Sequence, residues 1–183
     1  YSEIVDTVTA LAAGLTIGDP LDPETKIGPL VSSRQRDRVE GYIAKGKQEG
    51  RLTTGGGRPK GLDRGWFVEP TVFADMTNTA QVSCEEIFGP VLSVIPYGDE
   101  AEAVAIGNDR ICGLGGTVGS SEVDRAASVA RKVRSGTIGV NHYTNDPVAP
   151  FGGIKDSGIG RELGPEGLDA FQVFKTIYLP PSA

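Results

Sequence analysis

Two cysteines and one histidine are the side chains of this sequence whose types most often support nucleophilic or metal chemistry. A reactive cysteine needs a positive neighbour or a helix N-terminus, because either one stabilises the thiolate. Cys84 instead precedes two glutamates, and Cys112 lies among apolar and glycine residues. We therefore interpret both thiols as structural. The single histidine, His142, excludes a metal site built from several histidines.

Two adjacent acids, Glu85 and Glu86, are the next candidates for chemistry. On a strand their carboxylates would point to opposite faces, and on a helix they would diverge. A general acid and a general base must converge on one substrate. The sequence therefore does not predict that these two residues work as a catalytic pair.

A glycine-rich segment, Gly158-x-Gly160-x-x-x-Gly164, is similar to a variant dinucleotide-binding fingerprint. That motif works only where a strand comes directly before it and a helix begins within it. The preceding residues 150–153 read Pro-Phe-Gly-Gly, which does not predict a strand. Phosphate binding by this loop is therefore the weaker interpretation, and close packing of glycine backbone is the stronger one.

Helices and extended segments must position these residues. Apolar residues recur at helical spacing from residue 3 to about residue 14, and a second helix is capped by Ser32 or Ser33. The stretch 67–73 is extended. Its Pro70 predicts an edge strand, because proline cannot donate a hydrogen bond to a neighbouring strand.

Strands and helices alternate most clearly between residues 91 and 141. The predicted strands are residues 91–95, 114–118 and 137–141. This alternation predicts an α/β fold with a parallel sheet covered by helices. Ligands bind such sheets beyond the carboxyl ends of the strands, where Asn141 and its loop lie.

Helix-capping residues fix the two intervening helices. Asp99 begins the first, which runs through about Gly107, and Glu102 completes a capping box. Ser121 and Asp124 open the second, which runs through Val133. After the glycine-rich loop, the alternating residues 174–179 predict a last strand.

Composition limits the partners and the compartment. The formal net charge of −6 argues against nucleic acid or an anionic membrane as the main partner, since both require clustered basic residues. No apolar run approaches the roughly 20 residues that a membrane span needs. Two cysteines in 183 residues do not make a disulfide framework, so we expect a reducing, cytoplasmic location.

Four segments, in order along the chain, closely resemble the aldehyde dehydrogenase superfamily. They are Gly18-Asp19-Pro20 with Gly28-Pro29-Leu30, residues 65–72 (GWFVEPTV), residues 85–91 (EEIFGPV), and residues 150–158 (PFGGIKDSG) with Gly160-Arg161-Glu162. The resemblance covers essentially the whole chain. It implies the Rossmann-like, parallel-sheet portion of the family's catalytic domain over residues 1–172. A C-terminal oligomerisation strand and tail would follow over residues 173–183.

The same resemblance implies a cofactor site for NAD or NADP and no metal. Glu86 corresponds to the acid that holds the nicotinamide ribose, and Phe88 to the ring beside the ribose and nicotinamide. A carboxylate suits this role because it can accept hydrogen bonds from two hydroxyls, and its charge strengthens them. The alternative is that Glu86 only caps or pairs locally.

For the substrate, the resemblance places Phe151 on the wall of the aldehyde pocket, with ordinary core packing as the alternative. An aromatic wall suits an apolar substrate and helps to exclude water. Asn145 and Asp146, in the loop that shapes the same pocket, are candidate selectivity residues. Asn141 resembles a loop-bracing asparagine of the family.

The resemblance assigns no catalytic residue to this chain. The family's cysteine nucleophile, glutamate base and oxyanion asparagine all belong to earlier segments. The non-Met start at Tyr1 likewise suggests a cut from a longer chain. We therefore expect a fragment of a homodimeric or homotetrameric aldehyde-oxidising enzyme, inactive alone. The alternative is a non-catalytic binding or oligomerisation module derived from the same fold.

Overall fold

A computed structural model describes residues 1–181 of the chain as an α/β structure of two compact units, one over residues 1–97 and the other from residue 98 onward. Each unit combines helices with short strands. Within residues 1–181, no helix has the length and apolar character to cross a membrane.

The first unit contains three helices and three strands. In chain order they are α1 (Ser2–Ala13), α2 (Ser33–Glu49), β1 (Arg51–Thr54), β2 (Thr71–Ala74), α3 (Gln81–Cys84) and β3 (Val91–Ser93). The expected bounds of α1 are confirmed to within a residue or two, and α2 begins where its cap was expected. Ser32, and not Ser33, caps α2, because the Ser32 hydroxyl accepts a hydrogen bond of 3.1 Å from the Gln35 amide.

The edge position predicted for Pro70 is wrong. The strand β2 is the middle of a three-stranded sheet, antiparallel to β1 and parallel to β3, and all four of its residues are buried. Pro70 lies immediately before the first strand residue, where its missing N–H costs the sheet no hydrogen bond. The first amide of the strand, that of Thr71, donates to the Pro90 carbonyl.

The core of the first unit forms where α2 covers this sheet. Phe73 is fully buried and lies in one apolar cluster with Val39 and Ile43 of the helix. Gly46 completes the contact, since a Cβ atom there would approach the Phe73 ring to 2.6 Å. The helix and the central strand are therefore held at a fixed separation.

The second unit contains three helices and four strands. They are α4 (Glu100–Asn108), β4 (Cys112–Gly113), β5 (Gly115–Val118), α5 (Val123–Ala130), β6 (Thr137–Val140), β7 (Ile154–Lys155) and α6 (Gly164–Asp169). The strands β5 and β6 pair in parallel across α5, whereas β4 and β7 pair antiparallel.

The strands predicted at 91–95, 114–118 and 137–141 are all present, but they are not consecutive members of one sheet. The first, β3, pairs in parallel with β2, and the other two form their own two-stranded sheet. The strand β3 is only half-buried, and its middle residue, Leu92, is exposed. Alternation along the sequence predicted strands and parallel pairing, but it did not specify which strands pair.

The helix ends of the second unit differ in detail from the predicted caps. The Asp99 carboxylate accepts from the Glu102 amide at 2.8 Å, as predicted, but the Glu102 carboxylate returns to the Gly98 amide at 2.7 Å. The helix α5 is shorter than expected and has Glu122 as its N-cap, without a side-chain cap. It ends early because residues 132 and 133 donate to carbonyls three residues back, which tightens the last turn.

The expected last strand, 174–179, makes no sheet hydrogen bonds with the part of the chain that the structure describes. Its apolar side chains are strongly exposed, with Phe174 at 89% and Tyr178 at 91%. The final two residues of the predicted tail, 182 and 183, lie outside the described residues. Pairing of this segment with another subunit stays a prediction.

Candidate functional site

The loop from Glu85 to Pro90 connects α3 to β3 and carries the two candidate cofactor residues. The thiol just before it, that of Cys84, donates to the Asn78 carbonyl at 3.1 Å. This contact ties the end of α3 to the preceding turn and agrees with a structural role for the thiol. Ile87 is buried, and a Cβ atom on Gly89 would approach Val39 of α2 to 2.5 Å.

One face of α2 holds the backbone of this loop. The side-chain amide nitrogen of Gln35 donates to the backbone carbonyls of Ile87 and Phe88, both at 2.9 Å. The Arg38 guanidinium donates to the Glu86 carbonyl at 2.7 Å. Three consecutive carbonyls are therefore fixed by two side chains that lie three residues apart on the helix, and so on one face.

The two adjacent glutamates have different environments. The Glu85 carboxylate accepts hydrogen bonds from the Tyr42 hydroxyl at 2.6 Å and from the side-chain amide of Gln81 at 3.2 Å. These bonds, the tyrosine's first, lower the pKa of Glu85, while the same contact with Glu85 raises the pKa of Tyr42. Glu86 is exposed, and among residues 1–181 its carboxylate makes no hydrogen bond or ion pair.

Phe88 has a backbone conformation that is costly for a bulky residue. Its φ of 55° lies in the left-handed region, and its side chain is 75% exposed. Such a conformation costs on the order of 1–3 kcal/mol and persists only where the surroundings determine it. The buried Ile87 on one side and the tightly packed Gly89 on the other supply that constraint. The loop therefore presents an aromatic ring and a carboxylate to solvent.

The three candidate substrate residues belong to one segment of the second unit, just beyond the carboxyl end of β6. Phe151 is half-buried, and its backbone exchanges two hydrogen bonds of 2.7 Å with Glu162. The Asp146 carboxylate accepts from the Val148 amide at 3.0 Å, which closes a turn of the loop. Asn145 is exposed.

Asn141 braces the start of this segment, as the sequence predicted. Its side-chain amide donates to the Ser120 carbonyl at 2.7 Å and accepts from the Ser120 amide at 2.8 Å. Its φ of 57° is a left-handed conformation that asparagine tolerates better than most residues. The loops that follow β5 and β6 are thereby held together at one edge of their sheet.

The glycine-rich segment 158–164 differs from the expectation in one respect. A two-residue strand, β7, does precede it, but that strand pairs antiparallel with β4, and α6 begins only at the last glycine. A Cβ atom on Gly152 would approach the Gly160 carbonyl to 2.3 Å, and Arg161 donates to the carbonyls of Gly153 and Gly160. The segment thus packs closely on itself, as the stronger interpretation predicted.

Sequence reasoning missed the bracing residues Gln35, Arg38 and Tyr42. Polar residues three and four apart on a helix are typical of a solvated face, and nothing local indicates that they reach a loop about fifty residues later. Among the described residues, no group of three or more histidine, cysteine, aspartate or glutamate side chains could hold a metal ion.

The fold and these loops define a chain of the α/β class, with exposed polar and aromatic residues on loops at strand ends. The profile of the aldehyde dehydrogenase family matches residues 1–177. The chain is 52% identical to geranial dehydrogenase of Castellaniella defragrans, over 98% of its own length and 37% of that protein. It is 48% identical to betaine aldehyde dehydrogenase of Brucella ovis, over 90% of its length and 35% of that protein.

Among solved structures, an aldehyde dehydrogenase of Mycobacterium tuberculosis complexed with NAD+ matches with a TM-score of 0.95 and 52% identity. That match covers 98% of this chain and 38% of the other. This chain belongs to the aldehyde dehydrogenase family. It spans little more than a third of the length of the relatives it matches.

Proposed function

We propose that this chain is the later portion of the catalytic domain of an NAD(P)-dependent enzyme that oxidises an aldehyde to a carboxylic acid. The observation that carries the proposal is the braced loop that exposes Glu86 and Phe88, in a chain of this family. The aldehyde dehydrogenase of Mycobacterium tuberculosis quoted above was solved in complex with NAD+. In this role, residues 1–172 contribute a Rossmann-like part of the domain and residues 173–183 an oligomerisation strand.

The residues of the loop fit a bound nicotinamide cofactor, which accepts a hydride when it is bound. Glu86 has a charged carboxylate with no competing partner among residues 1–181, so it can accept hydrogen bonds from two ribose hydroxyls. Phe88 offers an exposed ring face against which a flat group can pack. Gln35 and Arg38 keep the loop backbone in place while these side chains bind.

On the substrate side, we propose that Phe151 forms an apolar wall and that Asn145 and Asp146 tune the choice of aldehyde. Asp146 is already used to close its loop through the Val148 amide, so its effect is on loop shape. Asn145 is exposed and offers both a donor and an acceptor. The cysteine that forms the thioester, the glutamate that activates water and the oxyanion asparagine belong, in this proposal, to the part of the relatives that this chain does not span.

Glu86→Gln in the full-length enzyme is expected to slow hydride transfer about ten- to a hundredfold. A charge-assisted hydrogen bond contributes roughly 1.5–3 kcal/mol, and a misplaced nicotinamide lowers the rate steeply. The measurement is single-turnover kinetics with a deuterated aldehyde, beside a thermal melt. Glu24→Gln, at an exposed turn of the same unit, is the matched control.

Phe88→Ala should also slow hydride transfer, because without the phenylalanine ring the nicotinamide is held less firmly in the reactive position. A purely structural role for Glu86 gives the reverse pattern. The melting temperature would then fall by several degrees while the rate of hydride transfer stayed the same, and that result would contradict the assignment of Glu86 to the cofactor site.

Deletion of residues 173–183 is expected to reduce the oligomer, which we propose to be a homodimer or homotetramer, to a smaller species. The apolar side chains of this segment are 70–95% exposed at Val173, Phe174, Ile177 and Tyr178, which is costly unless other protein surface covers them, and we propose that a second subunit does so. Light scattering of the full-length and shortened proteins measures the change. An unchanged mass and solubility after the deletion would exclude the segment from the interface.

A further inference from the structure

One face of the sheet formed by β5 and β6 lacks side chains at two positions, Gly115 and Gly139. Gly139 lies directly opposite Thr117, which is two residues along the strand from Gly115, so both glycines belong to the same face. A Cβ atom on Gly139 would lie 1.9 Å from the His142 carbonyl oxygen and 3.2 Å from the Tyr143 Cα atom. The chain that leaves β6 therefore turns back over this face at Gly139.

The ring of Tyr143 extends from this point to Gly115 on the neighbouring strand. A Cβ atom on Gly115 would lie 2.6 Å from the tyrosine Oη atom and 3.2 Å from its Cζ atom. Carbon atoms in contact lie about 3.5–4.0 Å apart, so a side chain at position 115 would displace the ring. We call Gly115 and Gly139 the glycine seat, because together they make room for the two ends of one tyrosine.

Tyr143 stands at the beginning of the loop that carries the candidate aldehyde-selecting residues. Asn145 and Asp146 follow it by two and three positions, and residues 144–146 are exposed. Asn141 braces the chain before the tyrosine, and Asp146 closes a turn after it. Between these two fixed points, the contact of the Tyr143 ring with the sheet determines the direction in which the loop leaves β6.

We propose that the glycine seat positions Tyr143 and, through it, the loop that selects the aldehyde. Gly115 and Tyr143 are then positioning residues, and a residue of β5 that touches no substrate affects the choice of substrate. This inference rests on the proposed function, and it adds what holds the selecting loop in place. It also names the substrates concerned, which are aldehydes long enough to reach the loop.

Gly115→Ala in the full-length enzyme tests the seat directly. The added Cβ atom should move the ring off the sheet, so a long aldehyde such as decanal should lose about three- to tenfold in kcat/KM through a higher KM. A short aldehyde such as propanal, which does not reach the loop, should keep its value. Gly116→Ala, at the next position of the same strand, is the control, since a Cβ atom there meets nothing within 4 Å.

A compensating substitution separates this effect from a general loss of stability. Tyr143→Phe removes the oxygen that the new Cβ atom would meet at 2.6 Å and leaves ring carbons at 3.2 and 3.3 Å. Gly115→Ala combined with Tyr143→Phe should therefore recover most of the lost kcat/KM for decanal. If the double variant were as impaired as Gly115→Ala or worse, the inference would be overturned, because the two positions would not act through their contact.

Amide hydrogen exchange reports on the loop without any substrate. Exchange at the amides of residues 144–149 should be faster in Gly115→Ala and in Tyr143→Ala than in Gly116→Ala. Tyr143→Ala leaves β5 unaltered, so it tests the role of the ring even if Gly115→Ala fails to fold. Exchange in Tyr143→Ala equal to that of the control would contradict the positioning role.

The two aldehydes also distinguish failure of this inference from failure of the proposed function. If the full-length enzyme oxidises neither aldehyde, the proposed function fails and the inference falls with it. If it oxidises both, and the ratio of their kcat/KM values is the same in Gly115→Ala, Tyr143→Ala and Gly116→Ala, the inference is wrong while the proposed function stands.

Discussion

Phe73→Ala is expected to destabilise the first unit by about 3–5 kcal/mol, the largest change in stability for any single truncation in this core. Phe73 is fully buried at the centre of β2, the middle strand of its sheet. Its ring packs against α2, and removal leaves a cavity that the helix cannot fill. The single tryptophan of the chain, Trp66, lies in the same unit, so its fluorescence during denaturant unfolding measures the effect.

Two further variants test the reason for that loss. Gly46→Ala should destabilise the same contact by about 1–3 kcal/mol, because the new Cβ atom meets the Phe73 ring at 2.6 Å. Gly41→Ala, on the same helix with open space around it, should be neutral or slightly stabilising. If all three variants unfolded at the same denaturant concentration, the helix and sheet would not be coupled through Phe73.

The isolated 183-residue chain is expected to show no aldehyde oxidation at all. A thioester mechanism cannot proceed without a reactive thiol. The Cys84 thiol is engaged with the Asn78 carbonyl, and Cys112 is half-buried in a two-residue strand. The assay combines several aldehydes with NAD+ or NADP+ and follows the absorbance of the reduced cofactor.

Addition of the full-length enzyme as a positive control shows that the assay conditions support turnover. Turnover by the isolated chain that Cys84→Ser or Cys112→Ser abolishes would show that one of these cysteines is a nucleophile. Turnover that survives both substitutions would point to a different mechanism for the chain. The first result contradicts a structural role for these cysteines, and the second contradicts the expected inactivity of the isolated chain.

Phe73 and Phe88 have different roles because one ring is buried and contributes to stability, whereas the other is exposed and available for binding. Phe73 is fully buried and Phe88 is 75% exposed, although the sequence places both beside apolar neighbours. Phe73 stabilises the unit, whereas Phe88 combines a strained, left-handed backbone conformation with a ring that is exposed to solvent. We therefore expect substitutions at Phe88 to change cofactor affinity with little effect on unfolding.

Local patterns in the sequence determined the elements and the family. Helical spacing predicted α1 and α2, and Asp99 capped α4 as expected, since capping depends on side chains within one turn of the helix end. Local context also predicted the close packing of the glycine-rich loop, whereas the loop-bracing role of Asn141 came from the family resemblance. Four motifs in order along the chain, among them residues 85–91, gave the resemblance that the family match then confirmed.

Only the tertiary structure decided which strands pair and what holds the candidate loop. Pro70 precedes a central strand, and β3 pairs with β2. Strand pairing depends on side-chain burial and on contacts between residues far apart in the sequence, which no local pattern contains. Glu85 and Glu86 are equivalent in sequence. They differ in the fold because Tyr42 of α2, 43 residues earlier, donates a hydrogen bond to the first and leaves the second exposed.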